Sequence, residues 1–137
     1  MNINIDFVNK LRNSGLRPTK QRLKICEVLF NTEKTFHFTV NDLSKIISEK
    51  LNQKISLATV YNTVHAFKKK GYLKEISMNS EKTYFDTNTS HHHHFFDSLT
   101  KELTDLSDDQ VEKIKISKVL PGKKISSVEI LVKVENE

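Results

Sequence analysis

The residues best placed to do chemistry lie between Asp86 and Asp105, in DTNTSHHHHFFDSLTKELTD. Four consecutive histidines, His91 to His94, are bracketed there by two carboxylates. In extended backbone successive side chains point to opposite faces. His92 and His94 therefore share one face, and His91 and His93 the other. A chain reversal centred on Leu99 and Thr100 sets Asp105 opposite His94 on the same face. Directly opposed residues have Cβ atoms roughly 4.5–5.5 Å apart, close enough to share an ion. Asp86, just before the run, is positioned to close over that face. Imidazole with carboxylate suits zinc, ferrous iron or manganese. The plainer alternative is a solvated histidine tract. This run is internal, sits between a strand-like segment and the Phe95-Phe96 pair, and has acids at workable positions, which favours a metal role.

The chain that must position these groups has 137 residues, enough for one ordinary domain or two small ones. No apolar run approaches a membrane span, and the N-terminal MNINIDFVNK lacks a secretory pattern. The single cysteine, Cys26, excludes an internal disulfide and a CxxC knuckle. Its place in an apolar-periodic helix makes it a small buried hydrophobe. A cytoplasmic protein is expected. Residues 1–86 hold 15 Lys and Arg against 8 Asp and Glu, a net +7, whereas residues 87–137 hold 7 against 9, a net −2. A basic front half suits a polyanion, and the back half has another task.

Four helices are predicted in the front half. Ile5, Val8 and Leu11, with Phe7 beside them, mark a short amphipathic helix over 3–13, ended by Gly15. Arg17-Pro18-Thr19 opens a second, through Leu23, Cys26, Val28 and Leu29. A third runs from about Val40 to Lys50 on a stripe of Val40, Leu43, Ile46 and Ile47, with Thr39 as N-cap and Asp42 three residues on. Ser56 caps the fourth. Leu57, Val60, Tyr61, Val64 and Phe67 follow at helical spacing, Lys68, Lys69 and Lys70 fill the last turn, and Gly71 stops it. Strand-like pieces at Tyr72–Met78 and Lys82–Asp86 flank the turn Met78-Asn79-Ser80-Glu81. Helices followed by a β-hairpin give the order of a winged helix-turn-helix, whose last helix enters the major groove. With the apolar stripe facing inward, Thr59, Asn62 and Thr63 remain for base edges, and Arg17, Lys20 and Arg22 for phosphates or a minor groove.

Beyond Asp86 a smaller unit is predicted. Ser107 and Gln110 form a capping box opening a helix with Val111, Ile114 and Leu120 among its buried positions, broken at Pro121-Gly122. Lys124–Val134 alternates and reads as a last strand. About fifty residues bury little core alone, so a homodimer through this half is expected. The fold class is α+β: a winged helix-turn-helix over 1–86, followed by a small α/β dimerisation domain over 87–137.

The segments LRPTKQRLKI (16–25), HFTVNDL (37–43), SLATVYNTVHAFKKKGYLKEI (56–76) and YFDTNTSHHHHFF (84–96) resemble the ferric uptake regulator family of bacterial metal-responsive repressors. The pairing of the ATVYNT helix with a later histidine cluster is highly specific. The resemblance implies that Tyr61 joins the base-reading helix. It also implies that His37, Asp86, His92, His94 and Asp105 form a sensory metal site whose ion controls DNA binding. The family's second site matches His91, His93 and Glu112, with Val128 near its usual fourth histidine. The family's zinc-binding CxxC positions are Asp97 and Thr100 here. That loss, with HHHFFD leading into ELTDL, looks most like the iron response regulator branch. Members of that branch sense iron through haem, with the histidine run implicated, although the Cys-Pro haem motif is absent because Cys26 precedes Glu27.

The resulting expectation is an iron-responsive, sequence-specific DNA-binding regulator, a homodimer on an A/T-rich, roughly palindromic operator, with a divalent metal (Fe, Mn or Zn) and haem as candidate effectors. The alternative within the family is a ferrous-iron or peroxide sensor using the five-ligand site directly. A small zinc metalloenzyme is the alternative from another class, but no glutamate beside the ligands serves as general base, and the basic half would be idle.

Overall fold

The computed structural model describes residues 2–78 and 81–137. The chain divides into two compact units, Met1–Thr89 and Ser90–Glu137.

In the first unit, helices α1 (Asn2–Asn13), α2 (Lys20–Phe30), α3 (Val40–Leu51) and α4 (Leu57–Lys70) surround one apolar core. Local chemistry fixes their ends. The Thr19 hydroxyl accepts from Arg22 N and begins α2, placing Pro18 just ahead of the cap. Thr39 and Asp42 form a reciprocal capping box at α3. Ser56 caps α4 through Thr59 N, and Gly71 closes it at φ 92°, a left-handed conformation that glycine adopts without strain. Cys26 is buried, and burial pushes its thiol pKa up to about 12, so it packs as a hydrophobe. Two predicted faces shift. In α1 the buried pair is Phe7 and Leu11, one turn apart, and Ile5 is exposed. In α4 the buried stripe is Val60, Thr63, Val64 and Phe67, while Leu57 and Tyr61 stand in solvent. Both stripes keep the helical period: Leu11, Val60, Val64 and Phe67 are buried as predicted, while Phe7 takes the inward place expected of Ile5, and Thr63 is buried where Leu57 and Tyr61 were expected.

Strands β1 (His37–Phe38), β2 (Lys74–Ile76) and β3 (Tyr84–Asp86) form an antiparallel sheet in the order β1-β3-β2. The hairpin β2–β3 is the wing predicted after α4. The central residues of its predicted turn, Asn79 and Ser80, lie outside the described residues. The two-residue β1 was not foreseen, because HF between two caps is too short to carry a period.

In the second unit, β4 (His92–Asp97) is the central strand, antiparallel to β5 (Leu103–Ser107) and parallel to β6 (Leu131–Val134). The helix predicted from Ser107 is not formed. The capping box is present, but it starts a single 3-10 turn, Asp108–Gln110, and regular structure stops there. Ile114 and Leu120, two of its expected buried positions, are 45% and 60% exposed. The alternation Lys113-Ile114-Lys115-Ile116 opposes a helical face, β-branched residues weaken it, and nothing in this unit buries it. The predicted strand Lys124–Val134 shortens to β6, the part that reaches a β4 partner.

Candidate metal centre and nucleic-acid interface

In the first unit the β1–β3 ladder sets His37 opposite Asp86 and Phe38 opposite Phe85. The His37 Nε2 lies 3.2 Å from Asp86 Oδ2. The Asp86 carboxylate is fully buried, and its Oδ1 accepts from Asn88 N at 2.8 Å. The end of the ladder is pinned by Thr87, whose N–H donates to the Phe36 carbonyl (3.2 Å) and whose hydroxyl accepts from Phe36 N (3.0 Å).

In the second unit, β4 and β5 pair with His94 opposite Asp105. His92 Nε2 and His94 Nε2 lie 3.4 and 3.6 Å from the same oxygen, Asp105 Oδ1. Their rings stand edge to face with centroids 4.5 Å apart. His92 Nδ1 is 2.7 Å from the Ser90 carbonyl. A carbonyl only accepts, so this nitrogen carries a proton, and Nε2 is the ring nitrogen turned toward Asp105. A backbone partner that fixes the imidazole tautomer is what a metal-ligating histidine requires. Nitrogen and carboxylate donors of this kind fit zinc, ferrous iron or manganese.

The opposite face of β4 is arranged differently. His93 Nδ1 accepts from Ile130 N at 3.0 Å. A backbone amide only donates, so the proton sits on Nε2, which donates to Asp108 Oδ1 at 2.9 Å. His91 Nε2 is 3.6 Å from the same oxygen. The carboxylate grouped with these two histidines is therefore Asp108, where Glu112 was expected; Glu112 lines the neighbouring cleft of about 710 Å³, as does Val128. The hairpin register carried this information. It sets Ser107 opposite His92, so Asp108 is the next residue, opposite His91. Because His93 already uses both ring nitrogens, this cluster does not fit a metal without loss of the Ile130 hydrogen bond.

At the expected zinc-binding positions, Asp97 Oδ1 accepts from Leu99 N (2.9 Å) and Thr100 N (3.1 Å). These N–H groups, Thr100 first and then Leu99, hold the Asp97 carboxyl below its ordinary value. The turn is completed by Lys101 at φ 64°. Hydrogen bonds close the loop at Asp97 and Thr100, the positions that the resemblance matched to a CxxC pair.

On α4, Tyr61 and Asn62 are exposed, Tyr61 at 51%. Thr59 is half-buried, its hydroxyl 2.9 Å from Ser56 Oγ. Thr63 does not face a groove. It is fully buried, and its hydroxyl donates to the Thr59 carbonyl at 2.7 Å. A threonine at helical spacing from Val60 and Phe67 tucks its hydroxyl onto the preceding turn and packs its methyl inward. Arg17 and Lys20 are exposed, whereas Arg22 turns its Nη1 back to the Arg17 carbonyl (3.0 Å).

Comparison with known proteins agrees on one family. The sequence model of the ferric uptake regulator family matches residues 13–133. The peroxide-responsive repressor PerR of Staphylococcus epidermidis is 30% identical over 109 residues, 80% of this chain and 71% of that protein. The ferric uptake regulation protein of Vibrio cholerae is 35% identical over 104 residues, 75% of this chain and 68% of that protein. Among solved structures, the ferric uptake regulator of Pseudomonas aeruginosa with manganese superposes with a TM-score of 0.70 at 23% identity, covering 96% of this chain and 98% of that one. That likeness supports the fold.

Proposed function

The chain belongs to the ferric uptake regulator family, and we propose that it is a metal-responsive transcriptional repressor that reads DNA with α4 and answers to ferrous iron or manganese. The family places it among transcriptional regulators and not among enzymes. The observation that carries the metal assignment is the convergence of His92 and His94 Nε2 on one Asp105 oxygen, with the His92 tautomer set by Ser90. The residues of the second unit that would hold the ion are His92, His94 and Asp105, and the family resemblance adds His37 and Asp86, which pair within the first unit, as candidate ligands. A bound divalent ion would supply the positive charge against which the buried His92 and His94 and the Asp105 carboxylate keep their donor atoms together. His37 and Asp86 sit on the sheet beside α4 and so tie ligand geometry to the reading helix. Tyr61 and Asn62 would meet base edges, Thr59 would contribute at the helix start, and Arg17 and Lys20 would contact phosphates.

We further propose a homodimer on an A/T-rich, roughly palindromic operator, working in the cytoplasm; among the described residues no helix is long and apolar enough to cross a membrane. The test uses duplexes selected from a random pool by the manganese-loaded protein. The double variant H92A/H94A is expected to lose the manganese-dependent gain in affinity. A full metal response in that variant rejects the site. N62A is expected to lower affinity for the selected duplex with manganese uptake intact, and unchanged affinity rejects the groove assignment.

A second reading is haem sensing, as in the iron response regulator branch. The cleft beside exposed His91, lined by His93, Val111, Glu112, Ile114 and Val128, favours it. Haem titration of the wild-type protein and H91A separates the readings: a Soret shift that H91A abolishes supports haem.

A further inference from the structure

His65 lies one turn after Tyr61 on α4, and no assignment above uses it. The two rings are 4.1 Å apart between centroids, inclined by 35°. On its other side His65 meets the fully buried Phe85 edge to face at 5.6 Å and 83°. Phe85 in turn stacks on Phe38 at 5.8 Å. The exposed Tyr61 ring is thus the outer member of a file of aromatic rings that begins in the β1–β3 ladder. Tyr61 alone on a helix surface has several rotamers open to it, and ordering it on DNA costs side-chain entropy. A ring stacked on a half-buried neighbour, itself wedged against a core phenylalanine, loses most of that freedom in advance. Residues i and i+4 on a helix meet face to face, and aromatic pairs of this geometry contribute beyond their buried area.

We propose that His65 is a positioning residue for base reading, which holds the Tyr61 ring in one orientation so that it meets a thymine methyl in the major groove. This rests on the reading of α4 as the groove helix. Apolar contact is how a side chain recognises the thymine C5-methyl, and uracil lacks that group. The β1–β3 rung next to the Phe38–Phe85 rung carries His37 and Asp86. The platform under His65 is therefore built from the strand pair that bears two of the proposed metal ligands.

The experiment compares manganese-loaded wild-type protein with Y61A, H65A, H65Q and H65F. The probe is a duplex selected from a random pool by the wild-type protein, with its thymines replaced singly by uracil. Thermal unfolding and manganese content are measured in parallel. Wild-type protein is expected to lose about fourfold in affinity at one or more thymines, the worth of one buried methyl. Y61A removes that discrimination. H65A and H65Q remove it too, with manganese content unchanged, and H65F, which restores a ring at the same place, keeps it. If H65A and H65Q discriminate like wild type while Y61A does not, the role of His65 is overturned and the groove reading stands. Loss of discrimination in H65F as well overturns the stacking explanation. If no thymine is discriminated, or if Y61A still discriminates, the groove reading of Tyr61 fails and the proposal falls with it.

Discussion

His92 and His93 are neighbours in the chain, and their rings carry opposite tautomers. His92 donates from Nδ1 to the Ser90 carbonyl, and His93 accepts at Nδ1 from the Ile130 amide. The alternation of faces was legible from four histidines in extended backbone. The tautomers were not, because they depend on backbone groups, one of them thirty-seven residues away. The proposed reading therefore predicts one metal ion per chain, on the His92 and His94 face, and manganese titration followed by equilibrium dialysis is expected to reach one equivalent. H93A should leave that stoichiometry intact and cost about 1 kcal/mol, the net worth of the part-buried hydrogen bond from Ile130 N, read from the urea midpoint. Asp97 gives a residue-scale test of acid stability. Its folded-state pKa lies below the ordinary 3.8, because Thr100 and Leu99 N–H groups favour the charged form. A lowered folded pKa contributes stability above the unfolded value and loses it as pH falls through the folded one. D97N keeps an acceptor oxygen and removes the titration. Urea midpoints of wild type and D97N are therefore expected to converge as pH falls below that range.

The four helices of the first unit were legible because their caps and their period agree: Thr39 with Asp42, Ser56, and Gly71 stand where the apolar spacing begins or ends. On α4 the stripe was right at Val60, Val64 and Phe67 but took Leu57 and Tyr61 in place of Thr63, since both also satisfy the helical spacing. Only the packing of Val60, Thr63, Val64 and Phe67 in the core chooses between them. The absent helix after Ser107 is the converse case. A correct start signal is insufficient when the following residues alternate and have nothing to pack against. At the element scale the capping box of α3 follows β1 directly, so it sets both the start of the helix and the end of the strand bearing His37. T39A removes the side-chain half of that box. It should cost about 1 kcal/mol, lowering the unfolding midpoint by roughly 4–8 °C for a unit of this size, as measured by circular dichroism. An unchanged midpoint would mean that the box contributes nothing to the fold.

For the molecule as a whole, the second unit is the weak point as a single copy. Its buried apolar residues among those described are Phe96 and Leu106, and the interior beside them is made by His92, His93 and His94. Meanwhile Ile116, Val119 and Leu120, on the segment expected to be helical, and Ile125, at the start of the expected last strand, are 48–72% exposed. A sheet whose interior is histidine and whose outer segment is apolar has not finished burying its surface. In the proposed homodimer a second copy would cover this segment, and a two-fold pair would present two α4 helices to two half-sites. The sequence hinted at this through the size of the back half, and the exposure of these four residues makes them the candidate surface. Dilution is expected to lower the unfolding temperature, as mass action requires of a fold completed by association. V119D/L120D places two charges on that surface. Sedimentation equilibrium is expected to find the variant as a monomer at concentrations where the wild-type chain is a dimer. The variant should still bind manganese at His92, His94 and Asp105, and it should bind the selected duplex only as a single half-site. A variant that remains dimeric would move the interface elsewhere and leave the exposure of Val119 and Leu120 without a purpose.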